Sequence, residues 1–359
     1  MTRKERLHRC YFGLETDRPA VYSRTGFPPD DPTYDALKVY LKEHTELKKG
    51  FDASSLCEKN PTSVTREPHS PEYDSVITTL RTPAGDLRSV YLDGRGGRPG
   101  MTREYYIKDG ADCEKYLSLP MPKINNDCRR FFEEREKIGE SGIVEVMLGS
   151  NPGGFAAELM GSETFAVLSI TARELVYALC ERRMQILLKM MNVLTNAGVG
   201  PYFSMLSEEY IVPPLHGKKD FYDFNVKYDR QITDAIHNAG GRVHIHCHGP
   251  LKGLLPAFID LGADVLHPVE PPPLGDVTAK EARAVLGGKI CIEGNIQIAN
   301  MYDDTPEQIR EETKALIRDA YVDNKGLIVC PTASPYIPGA GADCFENYRA
   351  MIDTVVGRA

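Results

Sequence analysis

From residue 143 onward, short apolar runs alternate with helical patterns, and this alternation narrows the choice of fold more than any other feature. The runs IVEVML (143–148), YFSML (202–206), RVHIH (242–246), DVLH (264–267), KICIE (289–293) and GLIVC (326–330) are short. They are rich in Ile, Val and Leu and bounded by Gly, Pro or Asp, as strands of a buried parallel sheet are. Between them, Leu175, Val176, Leu179, Leu187, Met190, Met191 and Leu194 recur at three- and four-residue spacing, and Phe221, Phe224, Tyr228, Ile232 and Ile236 repeat that pattern. Thr305 with Gln308, and Thr278 with Glu281, have the spacing of capping boxes, the first with Pro306 at the opening helical position. The second of these helices stops at Gly287-Gly288.

The amino-terminal part is less regular. An amphipathic start at 3–11 precedes a strand at 18–22, a helix at about 33–46 and a short strand near Phe51. These bring the count of strand–helix units to eight, which predicts an α/β chain folded as a (β/α)8 TIM barrel, with an open doubly wound sheet as the rival. Segments 75–80 and 87–92, joined by Thr82-Pro83-Ala84-Gly85-Asp86, read as a hairpin inserted at about 73–92. The whole of 1–359 is expected to be one barrel domain with that insertion. The loop 94–100 (GRGGRPG) lacks the flanking context of a phosphate-binding fingerprint.

Composition limits the function classes. The formal net charge of −8, with no basic stripe interleaved with aromatics, argues against nucleic acid as a partner. No apolar stretch approaches the ~20 residues that cross a bilayer, so no membrane partner is expected. MTRKERLHRC has no apolar run behind its charges and does not read as a secretory signal. The nine cysteines are odd in number, irregularly spaced and without a CxxC, which predicts free thiols in a reducing compartment, the cytoplasm.

In a barrel, chemistry belongs where strands end and loops begin. Those positions are polar here: Ser207, Glu208 and Glu209 follow YFSML, and RVHIH runs into His246, Cys247 and His248. DVLH ends in His267 with Glu270 beyond it, KICIE ends in Glu293 before Gly294-Asn295, and GLIVC ends in Cys330. In extended backbone, residues two apart share a face, so His246 and His248 are expected to point together. Cys330 would close a third side, giving a zinc site of His246, His248 and Cys330, with Glu209 a candidate fourth ligand. The plainer readings are that each histidine is a satisfied polar residue, Cys330 core packing, His244 barrel filling bonded to a neighbour, and Glu270 the cap of the loop before Pro271-Pro272-Pro273. Glu208 and Glu209 are adjacent and face different ways, so at most one is expected to enter the site.

The runs HIHCHGPLKGLLPAFIDLGADVLHPVEPPPLGD (244–276), CIEGNIQIANMYDDTPEQIREE (291–312) and ENYRAMID (346–353) resemble the uroporphyrinogen decarboxylase superfamily. RPAVYSR (18–24) and the TPAGDL turn are similar to it too, and the family fold is a (β/α)8 barrel. Decarboxylases of the superfamily carry a P-x-W-x-M-R-Q-A-G-R segment that binds tetrapyrrole carboxylates; here there is no tryptophan and the segment reads VYSRTGFPPD. The resemblance is closer to the corrinoid-dependent methyltransferase branch, in which zinc sits on a His-x-Cys pair and a distant Cys. Anchored on Gly249, the pair in this chain is His246 and His248, with Cys330 as the distant cysteine.

These readings imply a zinc-dependent methyltransferase that moves a methyl group between a small methylated substrate, of methoxy-aromatic, methanol or methylamine type, and a corrinoid (cobalamin). The D-x-H-x-x-G element of corrinoid-carrying domains is missing, because Asp234-Ala235-Ile236-His237 has the wrong spacing, so the corrinoid is expected on a separate partner protein. Catalytic roles fall to Glu209, Glu270 and Glu293 in handling protons and to Asn295 in positioning substrate. The alternatives are a metal-free decarboxylase, with Arg24, Arg95 and Arg98 binding an anionic substrate, and a non-catalytic barrel subunit.

Overall fold

Strands buried on both faces need helices on the outside and their own side chains within, and the chain meets both demands by curling one parallel sheet. The computed structural model describes residues 1–358. Its strands are β1 (Ala20–Val21), β2 (Leu47–Asp52), β3 (Thr62–Pro68), β4 (Tyr73–Leu80), β5 (Leu87–Gly94), β6 (Met101–Glu104), β7 (Gly142–Ser150), β8 (Tyr202–Leu206), β9 (Arg242–His246), β10 (Val265–His267), β11 (Cys291–Ile296) and β12 (Leu327–Pro331). Eight of them form one parallel sheet in the order β1-β12-β11-β10-β9-β8-β7-β2. Every strand predicted for the barrel is therefore present.

The closed barrel expected from the sequence is corrected in one respect: the ladder is not continuous between β1 and β2, so the sheet is TIM-barrel-like and open at one seam. The reason is the brevity of β1, which has two residues and is spent on its pairing with β12. Glu46 spans the gap instead. Its amide donates to the Val21 carbonyl at 3.0 Å, and its carboxylate accepts from the Val21 amide at 2.6 Å. That carboxylate is fully buried and also takes Arg6 at 2.6 Å and Arg18 at 2.9 Å.

Alternate residues of the strands fill the ring. Ala20, Ile143, Tyr202, Val265, Cys291 and Ile328 form an apolar layer that Leu7, Cys10 and Tyr11 of the helix Arg3–Tyr11 cap from the amino-terminal side. Fully burying one such side chain contributes ~1.5–3 kcal/mol. Two residues further along the same strands the lining turns polar. The larger core lies outside the sheet, beneath helices such as Arg173–Asn196, whose buried stripe includes Leu179, Leu187, Met190 and Leu194. Both predicted capping boxes are formed.

The predicted hairpin is β4 paired with β5, but it belongs to a four-stranded antiparallel sheet, β3-β4-β5-β6, separate from the parallel one. β3 is not legible in the sequence, since TSVTREP is exposed throughout and has no apolar alternation. All nine cysteines are free thiols. No helix among the described residues is long and apolar enough to cross a membrane.

Candidate active site

Two residues beyond the apolar layer, β7, β8, β10, β11 and β12 present Glu145, Ser204, His267, Glu293 and Cys330. His244 and His246 on β9 and Lys48 on β2 belong to the same belt. A cavity of about 260 Å³ opens above it, walled by Tyr22, Arg24, Lys48, Glu145, His244 and Glu293. A larger groove of about 610 Å³ lies at the opposite ends of the strands, beside Phe132, Arg135, Gly142 and Pro201; no polar belt residue lines it, so the smaller cavity is the one that concerns chemistry.

Within the belt, one donor atom each from His267, Glu293 and Cys330 lie within 4.8 Å of one another, and all three residues are buried. Imidazole nitrogen, carboxylate oxygen and thiol sulfur together form a set suited to zinc. Lys48 pairs with Glu293 through Oε2, while Oε1 of Glu293, also buried, has no hydrogen-bond partner. An orphaned carboxylate oxygen beside a histidine and a thiol is what a missing cation leaves behind, so the residues fit a metal. Burial, and then the charge of Glu293, push the Cys330 thiol up, which favours the neutral thiol until a metal displaces its proton.

His246 adjoins this trio, its Nδ1 at 2.9 Å from Nδ1 of His267. Burial, reinforced by Arg24, pushes His246 down to about 2 and His267 well below the usual histidine range, so both rings are neutral, the form that binds metals. Arg24 approaches Nδ1 of His267 at 3.4 Å. Burial alone would raise the Glu293 carboxyl, but Lys48 and then His244 outweigh it and hold it well below the carboxylate range. Lys48 is itself sandwiched between the Tyr11 and Tyr22 rings, at 5.2 and 4.9 Å from their centroids, with Glu145 at 4.0 Å.

Of the ligand set read from the sequence, His246, His248 and Cys330, only Cys330 belongs to the trio whose donor atoms converge. β9 ends at His246, two residues before His248. His248 still meets His246 edge-on, with ring centroids 4.7 Å apart, but its Nδ1 pairs with Glu270 Oε1 at 3.1 Å, and Glu270 also accepts from the Gly249 amide at 3.1 Å. Those contacts outweigh burial and lower the Glu270 carboxyl, giving it the loop-capping place of the plainer reading. Glu209 lies at the rim with Oε2 unpartnered, its carboxyl raised by burial. Asn295 follows Glu293 on the same face of β11 and stands opposite Cys330 in the ladder. His244 differs from its expected role: neither ring nitrogen has a hydrogen bond, and its nearest charge is Glu293 at 3.6 Å.

Lys48, Glu145 and Ser204 escape the sequence reading altogether, and His267 is legible there as a strand end but not as a ligand. Lys48 had a usable signal: LKKGFD puts two adjacent lysines in one strand, and alternation sends one of them inside.

Comparison with known proteins places this architecture. The family model of uroporphyrinogen decarboxylase (URO-D) matches residues 144–355. No curated protein is significantly similar to the chain in sequence. A methyltransferase from Methanosarcina mazei has a similar fold, covering 99% of this chain and 99% of its own, with a TM-score of 0.63 at 15% identity. A B12-independent methionine synthase from Shewanella sp. W3-18-1 covers 82% of this chain and 75% of its own at 12% identity, and its TM-score of 0.44 is too low to carry an argument.

Proposed function

The chain belongs to the uroporphyrinogen decarboxylase family, and on that basis we propose that it is a methyltransferase whose rim site uses one zinc ion. The observation that carries this reading is the buried trio His267, Glu293 and Cys330, of which Glu293 lines the cavity. Bound there, zinc would supply Lewis acidity, stabilising charge left on a substrate heteroatom as its methyl group departs. Lys48 and the tyrosines around it hold the Glu293 carboxylate still, and His246 orients the His267 ring. Arg24, which lines the cavity, and Asn295, two residues beyond Glu293 on β11, would position substrate. Glu209, with its raised carboxyl, is a candidate proton donor at the rim.

The cavity of about 260 Å³ lies below the ~300–1,000 Å³ of ordinary ligand pockets, which supports a small methylated substrate of the methanol, methylamine or methoxy-aromatic kind over a tetrapyrrole. The methyl group would pass to or from a corrinoid carried by a separate protein, because the chain lacks the corrinoid-carrying motif. One observation favours the second reading, a metal-free decarboxylase: Arg24 lines the cavity beside Lys48, so two cations stand where an anionic substrate would enter.

Metal analysis of untagged protein, paired with turnover of methanol, methylamine and methoxybenzoate in the presence of reduced cobalamin, separates the two. About one zinc per chain, lost in Cys330→Ser and His267→Ala together with methyl transfer, supports the methyltransferase. Decarboxylation that persists in strong chelator, with no methyl transfer from any donor, replaces it with the second reading.

A further inference from the structure

Behind the rim, on the outer side of β9, the fold buries a second group of acids that the proposed reaction does not use. Glu208 is fully buried, and neither of its carboxylate oxygens has a hydrogen-bond partner. The charge that faces it is that of Asp229, with Glu209 next. Asp229 is also fully buried, and its Oδ1 is unpartnered. No basic side chain contributes to the surroundings of either carboxyl.

The frame around these oxygens is closely built. Asn151 donates to Asp229 Oδ2 at 2.9 Å and to Asn225 Oδ1 at 3.0 Å, while its own carbonyl oxygen accepts from the Gly154 amide at 2.7 Å. Asn225 in turn donates to the Glu208 backbone carbonyl at 3.3 Å. A π-helical turn, Tyr222–Val226, carries Asn225, a distortion that recurs at functional sites. Gly153 lets the frame close, since a Cβ there would come within 2.4 Å of the Asn225 side-chain oxygen.

We infer that Glu208 and Asp229 hold one hard divalent cation, of the calcium or magnesium class, in a structural site distinct from the zinc trio. The three free carboxylate oxygens are hard donors of the kind such ions select, and the neighbouring Cys247 thiol, which burial and then the Glu208 charge keep protonated, does not compete as a soft ligand. A charge of +2 cancels the two carboxylates, which nothing else nearby does. Without it, both groups must keep protons to remain buried, and burial does push Asp229 up to about 8. The site fastens the turn after β8 to the helix Lys227–Asn238 and to the start of the helix Pro152–Thr171, directly behind the segment that carries His246.

The test is equilibrium dialysis of chelator-stripped protein at pH 8 against calcium alone and magnesium alone, with metal counted by mass spectrometry. The expected result is about one ion per chain in the wild type and in Cys330→Ser, and none in Glu208→Gln/Asp229→Asn, with millimolar or tighter affinity. Thermal unfolding gives a second readout: calcium or magnesium raises the melting temperature of the wild type and leaves the double variant unmoved. Because the double variant is isosteric and uncharged, it should melt higher than stripped wild type at pH 8. If it does not fold, Glu208→Gln alone should weaken binding at least about tenfold. A wild type that takes up neither ion at millimolar concentration, or a variant that binds as well as the wild type, overturns the inference and leaves two shared protons as the neutralising charge.

Discussion

Nδ1 of His246 and Nδ1 of His267 stand 2.9 Å apart, with their rings stacked at 17°. Two bare nitrogens would repel at that distance, so one carries the proton. Nε2 of His267 faces the Pro331 carbonyl at 3.4 Å, and a zinc ion held through Nε2 would leave the His267 proton on Nδ1, donated to a bare Nδ1 of His246. His246→Ala should therefore loosen His267 and lower zinc affinity by ~10–100-fold, as loss of an orienting partner does. His248→Ala, whose contact is Glu270, should leave affinity unchanged. Competition with a chromophoric chelator measures both; equal losses would restore the pairing read from the sequence.

Lys48 is the cation that keeps Glu293 ionised inside the ring. Lys48→Met leaves a buried carboxylate unpaired and should cost ~3–5 kcal/mol in denaturant unfolding. Lys48→Met/Glu293→Gln should recover most of that loss, while methyl transfer stays abolished. Failure of the second change to recover stability would mean that lysine packing, not pairing, holds the belt.

The Asp229 carboxyl, pushed up to about 8 by burial, gives stripped protein a distinctive pH dependence. Its unfolded value is near ~4, so between the two the folded chain keeps a proton that the unfolded chain releases. Stability is then fully present below about pH 4 and falls as pH rises through 8, the opposite of a salt-bridged carboxylate. Asp229→Asn should flatten that fall and exceed wild type above pH 8 by ~1–3 kcal/mol. Urea titrations across pH 5–9 supply the comparison.

At the seam, Glu46 is the link between the sheet's two ends. Glu46→Ala removes the acceptor of Arg6, Arg18 and the Val21 amide at once and should destabilise by ~3–5 kcal/mol. Hydrogen exchange should show Val21 losing protection ahead of the strands opposite it. Loss of protection spread evenly through the sheet would show that β1 is held by its pairing with β12 instead.

The barrel strands were legible because a strand buried on both faces is written as an unbroken apolar run, and RVHIH and YFSML lie in the structure at the residues the sequence marks. β3 and β6 were not, since exposed strands need no apolar pattern. For the site, convergence of His246, His267, Glu293 and Cys330 on one rim was readable from strand ends alone. Their grouping was not. The His-x-His spacing does bring the two rings together, 4.7 Å between centroids, but the chain leaves the strand at His246 and His248 pairs with Glu270 rather than joining the buried trio. Lys48 hid for a related reason: its partner Glu293 is far away in sequence, and only closure of the ring brings the two together.

The helix Arg3–Tyr11, wedged by Leu7, Cys10 and Tyr11 against the apolar layer, makes the barrel a blind alley. A guest in the cavity would back out through the doorway by which it came, past Arg24 and Tyr22. A bulky visitor seated on that doorway would shut in any smaller guest. Were the proposed carrier protein to dock there, traffic at the rim would run in turns, with the small molecule admitted before the large one.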